Sequence, residues 1–311
     1  MIPLSPLEAL PLGITRSEIE RLFQPFVKVD DELWKLRFAR RNRKIWRQYL
    51  KRRLFGWHRH SQRLKAAVAR EYGNEWLSID HRSYSLDAAP EKHSLWQWGS
   101  QRSLASNRGG TRVRQLLLVR TIELLQPRRV LEVGCGNGIN LLLLAGRFPE
   151  IAFTGIDLTQ EGPAAARRVQ QQNDLLPPYL QAFAPVQLHD PAAFKRVTFQ
   201  TGDATALPFA PKSFDLVITV LALEQMERIR DQALNEIARV SAGHAFMIEP
   251  FREANASGIA RRYVVARDYL RARVSDLPQH GMQPLWATTD MPQEAFLKAA
   301  AVLAKVEGTS A

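Results

Sequence analysis

Three glycines stand at alternate positions in the segment VLEVGCGNG, which runs from Val130 to Gly138. Glycines spaced this closely let a ligand approach bare backbone, because no side chain stands in the way. A dinucleotide-binding loop would read Gly-x-Gly-x-x-Gly, but Ile139 stands where its third glycine belongs. The Walker phosphate loop fails as well, because no Gly-Lys-Ser/Thr follows. The segment therefore predicts a ligand-binding turn that matches neither phosphate motif.

The elements that must position this turn follow from the apolar pattern around it. After Arg129, short apolar runs such as VLEVG, FTGID and DLVITV alternate with helical stretches as far as Pro250. Strands alternating with helices at this spacing predict a parallel sheet that helices cover on both faces. The fold class is thus predicted as α/β, with a doubly wound, mostly parallel sheet, and the site is expected at the carboxyl ends of its strands.

Further acids at compatible spacings make the chain resemble the class I, seven-stranded S-adenosylmethionine-dependent methyltransferases. The first motif of that family, an acid, one spacer and Gly-x-Gly-x-Gly, stands here as Glu132 to Gly138. Acids also follow the second and third strands at Asp157 and Asp203. The segment LPFAPKSFDLVITVLALEQM resembles a block of the ubiquinone and small-molecule branch. The resemblance implies a Rossmann-like sheet of seven strands and S-adenosylmethionine as the cofactor, with no metal.

The resemblance also assigns roles to residues. It implies that Asp157 holds the ribose hydroxyls, that Asp203 and the amide of Ala204 hold adenine, and that the glycines admit the methionine part. The full set expected at the cofactor is Glu132, Gly134, Cys135, Gly136, Asn137, Gly138, Asp157, Leu158, Asp203, Ala204, Val220 and Leu221.

Catalytic candidates lie directly after the fourth strand of the core. The chain has Glu224 and Gln225 where relatives often show Glu-His. Since a glutamine does not titrate, a general base, if the reaction needs one, is Glu224 or lies elsewhere. The glutamate has an alternative role as a first-turn carboxylate at a helix N-terminus. Cys135 is expected to fill space rather than react, and the histidines show no metal-ligand spacing.

The net charge of +12 is concentrated in one region. Residues 33–70 hold 14 Lys and Arg and no acid, so the rest of the chain is about neutral. The aromatic residues Trp34, Phe38, Trp46 and Trp57 are interleaved with these bases. Such a segment fits three roles: a lid packed on the core, a contact with an anionic membrane or lipidic substrate, or RNA binding.

The chain is predicted to have a helical N-terminal cap over residues 1–110, basic at 33–70, and a core over 111–311. The core motifs fall within 129–250, and residues 251–311 add a helix and the last strands. An alanine-rich stretch at 295–308 is compatible with strand or helix. Residues 73–110 are expected to be loop-rich, and the segment from Trp96 to Arg114 is expected to lie over the site. Acceptor contacts are expected from four of the residues that precede or open the core: Trp96, Trp98, Arg108 and Arg112.

These observations predict a methyltransferase that acts on a small-molecule or lipid-like acceptor by in-line displacement. The alternatives are an RNA methyltransferase that uses the basic segment, and a non-catalytic protein that binds the cofactor or serves as a scaffold. A single cysteine, the lack of a secretory leader pattern and the lack of an apolar run of about 20 residues favour a cytoplasmic protein, with peripheral contact at the inner membrane surface as an option. The acceptor atom and the oligomeric state have no signature in the sequence.

Overall fold

The computed structural model describes residues 4–54, 65–89 and 92–307. Its helices are α1 (Arg16–Phe23), α2 (Asp31–Leu54), α3 (Lys65–Ser78), α4 (Asn107–Leu125), α5 (Ile139–Arg147), α6 (Glu161–Gln172), α7 (Pro178–Phe183), α8 (Arg230–Val240) and α9 (Gly258–Arg267). Its strands are β1 (Val27–Lys28), β2 (Ser94–Trp98), β3 (Gln101–Ala105), β4 (Arg129–Val133), β5 (Ala152–Asp157), β6 (Thr198–Thr201), β7 (Phe214–Val220), β8 (Ser241–Glu249), β9 (Met282–Thr288), β10 (Gln293–Glu294) and β11 (Ala300–Val306).

Seven of these strands form the sheet expected from the sequence, in the order β6-β5-β4-β7-β8-β11-β9. Strands β4 to β8 pair in parallel, and β11 runs antiparallel between β8 and β9. The strand order reverses between β4 and β7, so the loops that follow these two strands open a crevice at one edge of the sheet. The α/β fold class and the mostly parallel seven-stranded sheet are therefore confirmed.

The alanine-rich stretch left open by the sequence forms strand β11. Each of its residues except Lys305 is buried, and its register runs from Ala300 opposite Glu249 to Lys305 opposite His244. Alanine favours helices in isolation, but pairing with strands on both sides outweighs that weak preference here.

The expectation of a loop-rich stretch over residues 73–110 is wrong in part. Helix α3 continues to Ser78, and β2 and β3 form a hairpin whose turn holds Gly99 at a φ of +56°. The hairpin belongs to a second, antiparallel sheet of order β1-β3-β2-β10. Because β10 comes from the C-terminal part of the chain, this sheet joins the N-terminal segments to the core. The division at residue 110 stays a prediction.

The basic helix α2 packs along one face only. Trp34 and Ile45 are buried, and Phe38 stacks between Trp34 and Phe296 at ring distances of 4.8 and 5.2 Å. Its contacts are with α9 and with β2 and β3. Trp57 lies outside the described residues. The aromatic stripe of α2 is thus core packing, while most of its bases are exposed.

Candidate active site

The glycine turn after β4 has the backbone that only glycine adopts readily. Gly134, Gly136 and Gly138 have φ angles of +78°, +49° and +76°. A Cβ at Gly134 would lie 2.3 Å from the Cβ of Ala222, and one at Gly136 would lie 2.7 Å from the Trp76 ring. Both the left-handed conformation and the close approach of neighbours therefore require glycine. The turn leads directly into α5.

The acid at the end of β5 fixes the shape of this turn. Oδ2 of Asp157 accepts a hydrogen bond from the amide of Gly136 at 2.9 Å. Its other oxygen accepts from the amide and hydroxyl of Thr159 at 2.9 and 2.7 Å. A side chain that is expected at the ribose thus also ties two loops of the crevice together.

The acid after β6 is covered by helix α3. Lys65 at the start of that helix forms an ion pair with Oδ2 of Asp203. Burial alone would raise the pKa of Asp203, but the hydrogen bonds from Lys65 and Thr205 outweigh it, so the pKa is lowered. The carboxylate is therefore charged at neutral pH and can accept a hydrogen bond from an amino group.

The acid of the first motif is buried beneath the turn. Oε1 of Glu132 accepts a hydrogen bond from the side-chain amide of Asn140 at 2.7 Å, and its Oε2 has no partner among the described residues. Burial raises the pKa of Glu132 to about 8. A buried carboxyl oxygen without a partner is costly, and a donor on a bound ligand would relieve that cost.

Glu224 and Gln225 lie in a 3-10 turn after β7, and helix α3 faces them. The hydroxyl of Tyr72 lies 3.4 Å from Oε1 of Glu224 and accepts from Nε2 of Gln225 at 3.1 Å. The two neighbouring side chains are also bonded to each other at 2.5 Å. The three form one polar cluster where the carboxyl end of β7 meets the N-terminal helices.

These groups surround a single cavity of about 550 Å³. Such a volume is in the range of small-molecule sites. All residues expected at the cofactor line it except Gly138, and so do Glu224 and Gln225. Gly138 lies behind the turn, where a Cβ would strike Ala166 and Phe199.

Sequence reasoning missed the other wall of the cavity, which α3 and α4 build. The side chains concerned are Lys65, Val68, Ala69, Tyr72, Glu75 and Trp76 from α3 and Asn107, Thr111 and Arg114 from α4. Tyr84 joins them from the 3-10 turn His81–Tyr84. Residues 65, 68/69, 72 and 75/76 recur at helical spacing, which is a signal that the sequence carried.

The structure corrects the expected acceptor contacts of the two tryptophans. Trp96 is buried against Phe23, with ring centroids 5.2 Å apart, and does not line the cavity. Trp98 donates from Nε1 to Asp290 at 2.8 Å and carries the Arg16 guanidinium over its ring at 4.0 Å. Both rings are buried in the hydrophobic core, at 2 and 9% exposed, and neither reaches the cavity.

The two arginines expected at the acceptor are corrected in the same way. Arg108 donates to the backbone carbonyls of Ser83, Ser85 and Ala88 at 2.7 to 2.8 Å. Arg112 donates more weakly to the carbonyls of Ala182 and Ala184. Neither lines the cavity, since both guanidinium groups hold neighbouring loops against α4.

The buried thiol of Cys135 is suited to packing rather than to chemistry. Burial raises the pKa of Cys135 well above its usual value, with Asp157 and Glu132 adding to the effect. A thiol in this state is a poor nucleophile. Among residues 4–54, 65–89 and 92–307, no group of three or more His, Cys, Asp and Glu is arranged to hold a metal ion.

The sheet order, the glycine turn and the acids that follow β5 and β6 define the class I fold of S-adenosylmethionine-dependent methyltransferases. The family model described as "Methyltransferase domain" matches residues 131–248. The chain therefore carries a methyltransferase domain of this class, and the resemblance found in the sequence is confirmed. The likeness to the ubiquinone branch stays a prediction.

Curated relatives are similar to part of the chain. A fatty-acid O-methyltransferase from Mycolicibacterium smegmatis is 35% identical over 115 residues, which cover 37% of this chain and 34% of the relative. An ajmaline N-methyltransferase from Rauvolfia serpentina is 28% identical over 123 residues, which cover 40% of this chain and 35% of the relative. The chain thus spans about a third of the length of these relatives.

A solved structure of the 4+2 cyclase SpnF shares the fold, with a TM-score of 0.52 and 18% identity, over 77% of this chain and 96% of that one. Its name shows that this fold does not by itself set the reaction. No helix in the described part of the chain is long and apolar enough to cross a membrane.

Proposed function

We propose that this chain transfers the methyl group of S-adenosylmethionine to a small-molecule or lipid-like acceptor that binds in the cavity beside the cofactor. The observation that carries the proposal is the continuity of the cavity. One space of about 550 Å³ reaches from the glycine turn and its acids to the aromatic wall of α3. A cofactor and an acceptor in one continuous cavity can be held in the alignment that transfer requires.

The residues present fit the cofactor. The glycine turn leaves no room for a Cβ yet borders open space, so a ligand would meet backbone there. Asp157 and Asp203 would hold its ribose and adenine, and the unpartnered Oε2 of Glu132 would meet a donor on its methionine part. When bound, S-adenosylmethionine supplies a methyl group on a positively charged sulfur. The acceptor would attack the methyl carbon in line with the carbon–sulfur bond, and the sulfur would leave as a neutral thioether.

The remaining wall supports an acceptor of low polarity. Tyr72, Trp76 and Tyr84 present aromatic surface to the cavity, and Val68 and Ile229 add aliphatic surface. Such a wall binds apolar groups and keeps water from the reacting atoms.

A proton lost by the acceptor would go to Glu224, which supplies the carboxyl group of the cluster at the end of β7. The hydroxyl of Tyr72 and the amide of Gln225 hold its Oε1 in place at 3.4 and 2.5 Å. Gln225 itself only orients its neighbours, because an amide does not titrate at neutral pH.

The outward face of α2 supports the further proposal that an anionic membrane surface is a partner. Leu36, Leu50 and Leu54 are 56, 43 and 68% exposed. At 100° per residue they fall on the side opposite the buried Trp34 and Ile45. Exposed leucines between bases are typical of a helix that lies in the headgroup region of a bilayer.

The charges on this face add to the same interpretation. Arg40, Arg43 and Arg47 point outward with the leucines and are exposed. RNA binding would call for exposed aromatic rings on which bases stack. On α2 the rings of Trp34 and Phe38 are used in packing, and Trp46, which is 38% exposed, carries the Arg262 guanidinium over its ring at 4.0 Å. The described part of α2 therefore favours lipid over RNA.

The function is tested by transferring labelled methyl from S-adenosylmethionine into an extract of host cells and separating organic-soluble, small polar, nucleic-acid and protein fractions. We expect label in the organic-soluble or small polar fraction, and less label with Asp157→Ala when the cofactor concentration is not saturating. Label in nucleic acid would replace the acceptor class with RNA. Tight cofactor binding without transfer into any fraction would favour a non-catalytic role.

The membrane contact is tested by sedimentation with vesicles of phosphatidylcholine with and without 30% phosphatidylserine. Each basic residue near an anionic surface contributes about 1 kcal/mol, so replacing Arg40, Arg43 and Arg47 with Gln should weaken binding by about 100-fold. A control variant with the same loss of charge replaces three exposed arginines outside α2 with Gln: Arg21, Arg82 and Arg128. Equal binding by the two triple variants would contradict a role for the face of α2.

A further inference from the structure

One stripe of helix α4 faces the cavity. Asn107, Thr111 and Arg114 are spaced four and three residues apart, so they lie one above another on the helix, and all three line the cavity. Of the three, Arg114 lies furthest from the start of α4. It is in the central part of the helix, and its two sequence neighbours, Val113 and Gln115, are buried. A cation therefore lies in the wall of the cavity.

This cation has little compensation from the protein. Nη2 of Arg114 donates one hydrogen bond, to the hydroxyl of Thr111 at 3.1 Å. Among the described residues it makes no other hydrogen bond and no ion pair within 4 Å. Burial lowers the pKa of Arg114, and Glu294 and Glu224 oppose this only from beyond contact distance. A guanidinium stays protonated in proteins, so this charge needs a partner.

Other arginines on the same helix are satisfied. Arg108 donates to three backbone carbonyls, and Arg120 forms ion pairs with Glu18 at 3.0 Å and Glu123 at 2.8 Å. Arg114 has neither kind of support, although it lies between them in the sequence. Donors held toward a cavity with few internal partners are suited to binding a ligand rather than to holding the fold together.

The chemistry of the partner follows from the shape and the charge of the surroundings. A guanidinium presents a planar fork that matches the two oxygens of a carboxylate. The charged groups that line the cavity are five acids, Glu75, Glu132, Asp157, Asp203 and Glu224, and three cations, Lys65, Arg114 and Arg228. Repulsion from several carboxylates makes a dianion such as a phosphate monoester costly here, whereas a single carboxylate paired with Arg114 keeps the local charge balanced.

We propose that Arg114 is the carboxylate-binding residue of this cavity. The proposal rests on the function proposed above and deepens it. The carboxylate belongs to the methionine part of the cofactor or to the acceptor, and the two sources share this recognition chemistry. In this role Arg114 binds and orients a ligand, and the carboxylate that it binds need not be the group that is methylated.

The test compares Arg114→Gln with Arg112→Gln by calorimetric titration. Arg112 is the matched control because it lies on the same helix, carries the same charge and does not line the cavity. The cofactor probes are S-adenosylhomocysteine and 5′-methylthioadenosine, which lacks the carboxylate. The acceptor probes, added to protein saturated with S-adenosylhomocysteine, are dodecanoate and dodecanol.

Loss of a charged hydrogen-bonded pair should weaken binding by about 10- to 100-fold. If the carboxylate belongs to the cofactor, Arg114→Gln weakens S-adenosylhomocysteine by this factor and leaves 5′-methylthioadenosine unchanged. If it belongs to the acceptor, both nucleosides bind as before while dodecanoate is weakened and dodecanol is not. Arg114→Lys keeps the charge and should recover part of the loss.

Two results would overturn the proposal. One is unchanged binding of all four probes by Arg114→Gln, and the other is an equal loss for partners with and without a carboxylate. Circular dichroism and thermal unfolding check that the variant is folded, and Arg114→Lys provides a second variant if it is not. Failure of S-adenosylhomocysteine to bind the unaltered protein would instead refute the proposed function, since failure of the Arg114 proposal leaves that binding intact.

Discussion

Replacing Gly134 with alanine tests whether the glycine turn is built as described. The residue has a φ of +78°, which costs an alanine about 1–2 kcal/mol. The new Cβ would also lie 2.3 Å from the Cβ of Ala222, and that atom is fixed to the backbone of the next loop. Overpacking of this kind typically costs about 1–3 kcal/mol. We therefore expect Gly134→Ala to lower the free energy of unfolding by about 2–5 kcal/mol.

The matched control is Gly281→Ala. This glycine has a similar φ of +69°, but a Cβ there meets nothing within 4 Å. Urea unfolding of both variants then separates backbone strain from steric overlap, and the control should lose only about 1–2 kcal/mol. Calorimetry should also show weaker binding of S-adenosylhomocysteine by Gly134→Ala alone, because the turn borders the cavity.

Two results would refute this reasoning. Equal losses of unfolding free energy in Gly134→Ala and Gly281→Ala would mean that the approach of Ala222 is not rigid. Normal binding of S-adenosylhomocysteine by a folded Gly134→Ala protein would mean that the turn does not shape the cofactor site.

Three other perturbations test separate parts of the structure. Asp157→Ala should weaken S-adenosylhomocysteine about 10- to 100-fold by calorimetry, and unchanged affinity would contradict the ribose assignment. Burial raises the pKa of Glu249 from 4.5 to about 8. Between these two pH values the folded state keeps a proton on Glu249 that the unfolded state has already released, so the free energy of unfolding falls as the pH rises. The stability that this proton gives is fully present below about pH 4.5 and is lost by about pH 8. Glu249→Gln should make the fall of unfolding free energy from pH 5 to 8 shallower by about 1 kcal/mol per pH unit, and an unchanged slope would exclude this carboxyl as a source. Trp34→Ala should cost about 3–5 kcal/mol in urea unfolding because Trp34 is 4% exposed, whereas Trp46→Ala, at 38% exposed, should cost under about 1 kcal/mol; similar costs would contradict the packing of α2.

The parts of the fold and site that the sequence predicted are those encoded by local patterns. The apolar runs of β4 and β7 and the glycine turn carry their own conformational signature, because buried parallel strands and left-handed turns restrict residue types directly. The acids after β5 and β6 follow from the same order of elements. Strand β11 had no local signature, since its alanines suit a helix as well and only pairing with β8 and β9 decides between the two.

The wall of the cavity that the sequence did not predict depends on contacts between distant segments. Helix α3 is placed by packing on α6 and by the ion pair from Lys65 to Asp203, 138 residues away. Arg108 and Arg114 look alike in the sequence, yet only the second faces the cavity. The hairpin that carries Trp96 buries both of its tryptophans in the core, away from the cavity, and it is held in place by β10, which comes from near the C-terminal end and pairs with β2. Side-chain direction of this kind is set by tertiary pairing.

The central claim is that the cavity beside the glycine turn holds the cofactor, and a crystal structure with S-adenosylhomocysteine tests it most directly. We expect density in the cavity with the ribose at Asp157, the adenine at Asp203 and the methionine part over Gly134 and Gly136. Density for the ligand elsewhere, or a saturating titration that gives no binding, would contradict the account.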